Sequence, residues 1–317
     1  MEYIYLILSL IAIIVAAHIV VDSASSLAIR CKIPKIIIAL TIVSFGNCTP
    51  ELAVSFNAVA SGNGSIALAN IIGSCVVNIT LIIGIVAIVR PIKVNIPSIQ
   101  KQVSVLFWIT LWFAFILTFR MLSSSSFSYI HRIDGILLVL LFSIFIYNIV
   151  KIIKKRNKED DLHQDKPKYG TIKSLIYLIL SLAVISFGSY MLVDSAVVIA
   201  ENLNISQKLI AMCVISMGAA LPDLITAIIA ARKNENEIAL GNIIGANVLS
   251  ICIVLGLPIA TLGSINIVGF GIIDILVVLM VSFLLFIFVR SKHDISKYEG
   301  MILVLMFIIY FGYIWLI

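Results

Sequence analysis

The sequence predicts an all-α integral membrane protein of ten transmembrane helices, arranged as two inverted-topology five-helix repeats. Three observations lead there. Of 317 residues, 62% are hydrophobic and 12% charged, about half the charge a soluble domain carries. Apolar windows of about 20 residues, enough to cross a hydrocarbon core, tile nearly the whole chain. A set of short motifs also recurs once, at a single offset, in the second half.

The expected spans are 3–29, 33–60, 65–89, 102–119, 132–153, 173–200, 206–231, 237–262, 266–289 and 298–316. The first follows Met1 and Glu2 without the basic leader or small-residue cleavage site of a signal peptide, so it is expected to be retained. Residues 154–172 mix both charges and form a hydrophilic linker between a first repeat, 1–153, and a second, 173–317. With that linker in the cytoplasm, alternation of the spans puts 19 of the 22 Lys and Arg residues on the cytoplasmic side, leaving Arg120, Arg132 and Lys208 outside. The positive-inside rule therefore predicts a multi-pass cell-membrane protein with both termini outside. Because the basic residues spread over five short loops, the net charge of +6 is a topology signal and no nucleic-acid partner is expected. The five cysteines lie in or beside apolar segments, where a thiol behaves as a small hydrophobe, and form no CxxC pair.

An offset of 172 residues aligns four landmarks without a gap. Val21 to Ala24 matches Val193 to Ala196, and Ser44-Phe45-Gly46 matches Ser216-Met217-Gly218. Pro50-Glu51-Leu52 matches Pro222-Asp223-Leu224, and Ile66 to Gly73 matches Ile238 to Gly245. Five spans is an odd number, so the second copy enters the membrane upside down, an arrangement that in secondary transporters places sites near the midplane between repeats.

Carboxylates within apolar spans are Asp22, Glu51, Asp194, Asp223 and Asp274, with Asp134 near a span edge. A charge at the bilayer centre costs about 2.5 to 3.5 kcal/mol on the lenient insertion scale, so each needs a reason. Glu51 and Asp223 occupy equivalent mid-span positions directly after Pro50 and Pro222, each of which removes a backbone donor. With Gly46 and Gly218 just before them, both helices are expected to break and expose carbonyl oxygens. Two such breaks meeting across a pseudo-two-fold axis would surround a small volume with carboxylate and carbonyl oxygen, a site for a hard cation.

Asn70, Ser74 and Asn78 share one helical face, and Asn242, Ala246 and Ser250 repeat that spacing. For Asn70 and Asn242, packing or support of a ligand competes with direct ligation. Asp22 and Asp194, toward span ends, are expected to be structural, while Asp274, opposite Gln102 in the alignment, stays unassigned. His18 could relay protons or simply bond neighbouring backbone; His131, His163 and His293 fall in loops. No HExxH, zinc-type spacing, nucleotide-binding glycine loop or serine or lysine dyad occurs, so neither an enzyme nor a bound cofactor is expected.

Gly46 through Leu52 with Gly73-Ser74-Cys75, and Gly218 through Leu224 with Gly245-Ala246-Asn247, resemble the paired alpha repeats of the sodium/calcium exchanger family over essentially the full length. The resemblance implies that the second, third, seventh and eighth helices form a cation-holding core across which the first and sixth slide. It implies sodium and calcium competing for sites centred on Glu51 and Asp223. Further ligands carried over by position are Ser74 and Asn78; Asn47 and Cys48, where the family usually has threonine and serine; Ser44 and Ser216, through their carbonyls; and Asn247 and Ser250. Ala219, Ala220 and Ala246 replace hydroxyl residues, which reduces the oxygens on offer. The implied activity is sodium/calcium antiport, with transported Na+ and Ca2+ as the ions concerned and the bilayer as the other partner. A proton-coupled antiporter on the same fold and a non-transporting cation sensor stay open as alternatives, as does the oligomeric state, a monomer included.

Overall fold

The computed structural model describes residues 2–94, 97–123, 129–155, 167–202, 216–267, 271–291 and 294–316. Lys208, His163, His293, Cys213 and most of the 154–172 linker lie outside the described residues. Thirteen α-helices are described: α1 Glu2–Cys31, α2 Lys35–Ile38, α3 Ser44–Ala60, α4 Gly64–Val77, α5 Ile83–Val89, α6 Pro97–Ser123, α7 Arg132–Lys155, α8 Thr171–Asn202, α9 Ser216–Arg232, α10 Asn236–Leu249, α11 Gly256–Leu262, α12 Ile272–Ser291 and α13 Lys297–Leu316. Three π-helical segments interrupt them: π1 Ala39–Val43, π2 Asn78–Ile82 and π3 Ser250–Leu255. Four two-residue strands complete the set: β1 Ile92–Lys93, β2 Tyr129–Ile130, β3 Ile265–Asn266 and β4 Asp294–Ile295.

Eight helical spans among the described residues are long and apolar enough to cross a membrane, or nine if the bent pair Lys35–Thr49 and Glu51–Ala60 counts as one. The seventh expected span, 206–231, is described only from Ser216, as the 17-residue α9. The repeat seen in the sequence recurs in the backbone. Helices α3 and α9 begin and end 172 residues apart, as do α4 and α10, and π2 and π3 both start where those helices stop, at Asn78 and Ser250.

The described residues fall into two compact units, each drawing on both halves of the sequence: Met1–Asn47 with Asp161–Asn242, and Cys48–Asp160 with Ile243–Ile317. In the first unit α1 packs along α8. The buried residues of α1 recur at helical spacing (Ile13, Ala16, Ala17, Val20, Ala24, Ala28), while Ile4, Ile7, Leu8 and Ile11 are exposed, as suits a lipid-facing stripe. Gly188 allows the approach, since a Cβ there would lie 3.1 Å from Ile13. At the far end of α1, Glu235 accepts Lys35 Nζ at 2.7 Å and Ser25 Oγ at 2.9 Å, and Glu237 accepts the Ile36 N–H at 3.0 Å, capping α2.

The second unit carries its own internal symmetry. Phe107 on α6 stacks on Phe286 of α12, centroids 5.1 Å apart, and Ser282 Oγ lies 3.4 Å from Thr110 Oγ1, two residues that the 172-residue offset makes equivalent. Helix α11 crosses α7 where Gly256 meets Gly135, and α5 crosses α13 where Gly84 meets Gly300. A Cβ at any of the four would come within 2.9 Å of the facing helix, so only glycine permits these crossings. Strands β1 and β4 pair antiparallel (Ile92 with Ile295), as do β2 and β3 (Ile130 with Ile265).

Three acids at span edges are explained by this framework. Asp134 accepts both Arg120 nitrogens at 2.9 Å and the His131 N–H at 2.8 Å. Glu299 accepts the N–H and Oγ of Ser296, each at 2.7 Å, in a capping box at the start of α13. Asp274, unassigned from sequence, accepts the Gly271 N–H at 2.9 Å at the start of α12 and Tyr310 Oη at 3.0 Å.

Candidate cation-binding residues

Proline shapes the two acid-bearing helices less drastically than the sequence predicts. Helix α9 stays helical through Pro222, and α3 stays helical through Pro50 while its axis bends by 50° between Thr49 and Glu51. A single proline removes one i to i−4 bond and crowds one carbonyl, so the remaining ladder holds the helix together and the outcome is a kink or none. The expected unwinding is therefore not observed, and the freed acceptors are the single carbonyls of Gly46 and Gly218. The irregular backbone lies instead in π1, π2 and π3, whose widened turns are a feature of functional positions in helices. Neither proline nor glycine marks π2 or π3 internally, so the sequence contained no signal for them beyond the polar residues, Asn78 and Ser250, at which they start.

In the first unit, Asp223 on α9 is half-buried and its Oδ1 accepts the Asn47 amide at 2.5 Å and the Asn242 amide at 3.0 Å. Asn47 Nδ2 also reaches Asn242 Oδ1 at 3.3 Å. Asn242 is fully buried, and its bond to the acid supports the reading of Asn242 as a residue that holds a ligand in place. No lysine or arginine pairs with Asp223 among the described residues. Asn47 Oδ1 is buried without a hydrogen-bond partner. An unpaired amide oxygen beside a carboxylate whose amide donors all converge on one oxygen is a donor set that fits a hard cation and no anion. Ser44, also in this unit, is fully buried, and its hydroxyl is directed to the carbonyls of Ala39 at 2.6 Å and Asn242 at 3.0 Å. Ser216 is the first residue of α9.

In the second unit, Glu51 accepts Ser250 Oγ at 3.2 Å, and Asn78 Nδ2 donates to Asn247 Oδ1 at 2.9 Å. Asn247 Nδ2 is buried and unpaired. Cys48, one turn before Glu51, approaches the Ala246 carbonyl at 3.9 Å, the outer limit for a thiol donor. So Glu51 and Cys48 of α3 face Ser250 and Ala246 respectively, matching a three-residue step on one helix to a four-residue step on the other. Ser74 turns its hydroxyl back to the Ile71 carbonyl at 3.2 Å. Among the described residues no group of three or more His, Cys, Asp or Glu could hold a metal ion, so a cation here would be met by one carboxylate with neutral oxygens.

The remaining acids separate cleanly. Asp22 accepts Lys168 Nζ at 2.7 Å and Lys233 Nζ at 2.5 Å, whereas its repeat equivalent Asp194 is exposed. The contact raises the Lys168 ammonium above its ordinary pKa, chiefly through the hydrogen bond to Asp22. His18 is exposed, and Lys233 lies 3.4 Å from its backbone carbonyl, which gives no support to a proton relay through its ring.

Long apolar helices, a duplicated backbone plan and membrane-embedded acids met by amides and hydroxyls define a polytopic transporter of inorganic ions. Comparison with known proteins makes the class specific. The family model described as sodium/calcium exchanger protein matches residues 1–151 and 173–316, so the chain belongs to the sodium/calcium exchanger family. It is 33% identical over 315 residues to the putative antiporter CaxA of Alkalimonas amylolytica, covering 97% of this chain and 96% of that one. It is 34% identical over 260 residues to the inner membrane protein YrbG of Escherichia coli, covering 80% and 78%. The solved structure of the sodium-calcium exchanger NCX_Mj soaked with 10 mM Na+ superposes with a TM-score of 0.83 at 28% identity, covering 97% of each chain. The chain is thus a multi-pass membrane antiporter of an exchanger family, and its partners are inorganic cations.

Proposed function

We propose that the chain is a secondary active antiporter that exchanges sodium for calcium by alternating access, with Glu51 and Asp223 as the ion-binding carboxylates. The observation that carries this reading is Asp223: a membrane-embedded carboxylate held by two amides, with no cationic side chain paired to it among the described residues. Such a group is costly to keep ionised in a low-dielectric setting unless a cation arrives from solution. Asn47 Oδ1 on one acid's side, and Ser250, Asn78 and Asn247 on the other's, supply neutral oxygens suited to Na+ and Ca2+. Ser44, Ser74, Ser216 and Cys48 complete the proposed ligand set. An empty, charged site resists crossing the membrane while a loaded one does not, which makes exchange obligatory.

The proposal includes ten spans in two inverted repeats, residues 1–153 and 173–317, joined by a cytoplasmic linker with both termini outside. The shared element boundaries at an offset of 172 residues and the basic residues of the intervening loops support it. The test is Na+-driven Ca2+ uptake into proteoliposomes. Glu51→Gln is expected to lose it by about 100-fold or more, and unchanged flux would remove Glu51 from the mechanism. An ion-replacement series with Na+, K+ and H+ varied separately reads the coupling ion; calcium uptake driven by a pH gradient in Na+-free medium would establish proton coupling, for which three alanines at ligand positions leave room.

A further inference from the structure

Four side-chain hydroxyls among the described residues are buried without a hydrogen-bond partner: Ser23, Ser55, Ser174 and Thr226. Two of them sit on the acid-bearing helices, one turn beyond the acid. Ser55, four residues after Glu51, is 0% exposed, and Thr226, three residues after Asp223, is 1% exposed. At 3.6 residues per turn, both lie on the same face as their acid. On α3 this face is the one on which Cys48 meets Ala246 and Glu51 meets Ser250, so Ser55 continues a polar stripe.

The unpaired state is not what helical geometry offers by default. A serine or threonine within a helix can donate to the carbonyl four residues back, and Thr41, Thr80, Ser104, Thr110 and Thr261 all do so here. Ser55 and Thr226 have the carbonyls of Glu51 and Pro222 in that position and engage neither. A buried hydroxyl left unpaired destabilises the fold, so its retention beside an ion-binding acid calls for a partner supplied from outside.

We propose that Ser55 and Thr226 are hydroxyl ligands of the transported cation, engaged when it sits one helical turn from Glu51 and from Asp223. The inference rests on the antiporter reading and adds two oxygens to a ligand set in which Ala219, Ala220 and Ala246 offer none. A neutral hydroxyl suits a position of transit: it replaces part of the hydration shell without holding the ion as a carboxylate does, and release requires weak, successive sites.

The test uses Ser55→Ala and the isosteric Thr226→Val in the full chain, with Na+ and Ca2+ titrations of flux and thermal unfolding in detergent. Both variants are expected to unfold at the same or a higher temperature, because an unpaired buried hydroxyl is removed. Each is expected to raise the half-saturating concentration of Na+ or Ca2+ by about fivefold, the scale of one lost polar contact. Thr226→Ser, which keeps the oxygen and changes the shape, is expected to retain wild-type affinity. Unchanged titrations in both hydroxyl-free variants would overturn the proposal, as would a Thr226→Ser protein no better than Thr226→Val. Calorimetry of Ca2+ binding in detergent makes the same comparison without flux. If wild type binds Ca2+ but carries no Na+-driven flux, the antiporter reading falls alone; equal Ca2+ affinities of wild type and both variants would sink the hydroxyl ligands alone.

Discussion

Asp22 and Asp223 belong to the same packed unit, and their surroundings are opposite. Asp22 accepts two lysine ammonium groups, Lys168 and Lys233, whereas Asp223 accepts only the amides of Asn47 and Asn242. A carboxylate with its countercharge built into the chain gains little from an ion in solution; one surrounded by neutral donors is oriented without being neutralised. The two positions thus separate an acid that fastens helices from an acid that waits for cargo, although both arise inside apolar spans.

The comparison breaks most severely if Asp223 is made to resemble Asp22. Asn47→Lys would set an ammonium beside the acid, and Na+-driven Ca2+ flux is expected to fall by about 100-fold or more while the folded yield holds, with Asp223→Asn giving the same loss. The reverse change, Asp22→Asn, leaves Lys168 and Lys233 without their acceptor. A loss of about 1 to 3 kcal/mol in stability is expected, measured by chemical or thermal unfolding, with flux per folded molecule within about threefold of wild type. Asn242→Ala sharpens the contrast at smaller scale: one of two donors is removed from Asp223, and Ca2+ affinity by calorimetry should weaken by about fivefold. Lys168→Gln should have the smallest effect, within about 0.5 kcal/mol in stability, since its side chain is 63% exposed and the pair is screened. The raised pKa of Lys168 means that its contact with Asp22 persists below the ordinary lysine range and is lost only as pH rises through that range, so unfolding measured from about pH 6 to 9 should show no step from this pair.

Much of this was legible in the chain. The 172-residue offset located α3 and α9, and α4 and α10, by motif alone, and their observed ends keep that spacing to the residue. Glu51 and Asp223 stood out because an acid in the middle of an apolar run is expensive and each was duplicated after a proline. What the chain misrepresented was the consequence of proline: both helices continue, one bent and one not. The π-helical turns at Asn78 and Ser250 were invisible, because widening a turn requires packing around it and leaves no residue signature. The pairing of Asn47 with Asp223, 176 positions apart, could not be read as a distance either. Asp274 and Asp134 looked like further intramembrane charges and prove to be helix-start acceptors, a role fixed by where each helix begins.

Hydropathy, charge placement and internal duplication are properties of the linear order, and they suffice to determine that this chain lives in a bilayer, repeats itself and carries two equivalent acids. Which polar groups end up facing those acids, and which hydroxyls are left unsatisfied, depends on helix phase and on neighbours hundreds of residues distant. Short-range forces of hydrogen bonding and desolvation act only after packing has set those distances, so only the tertiary structure could decide them.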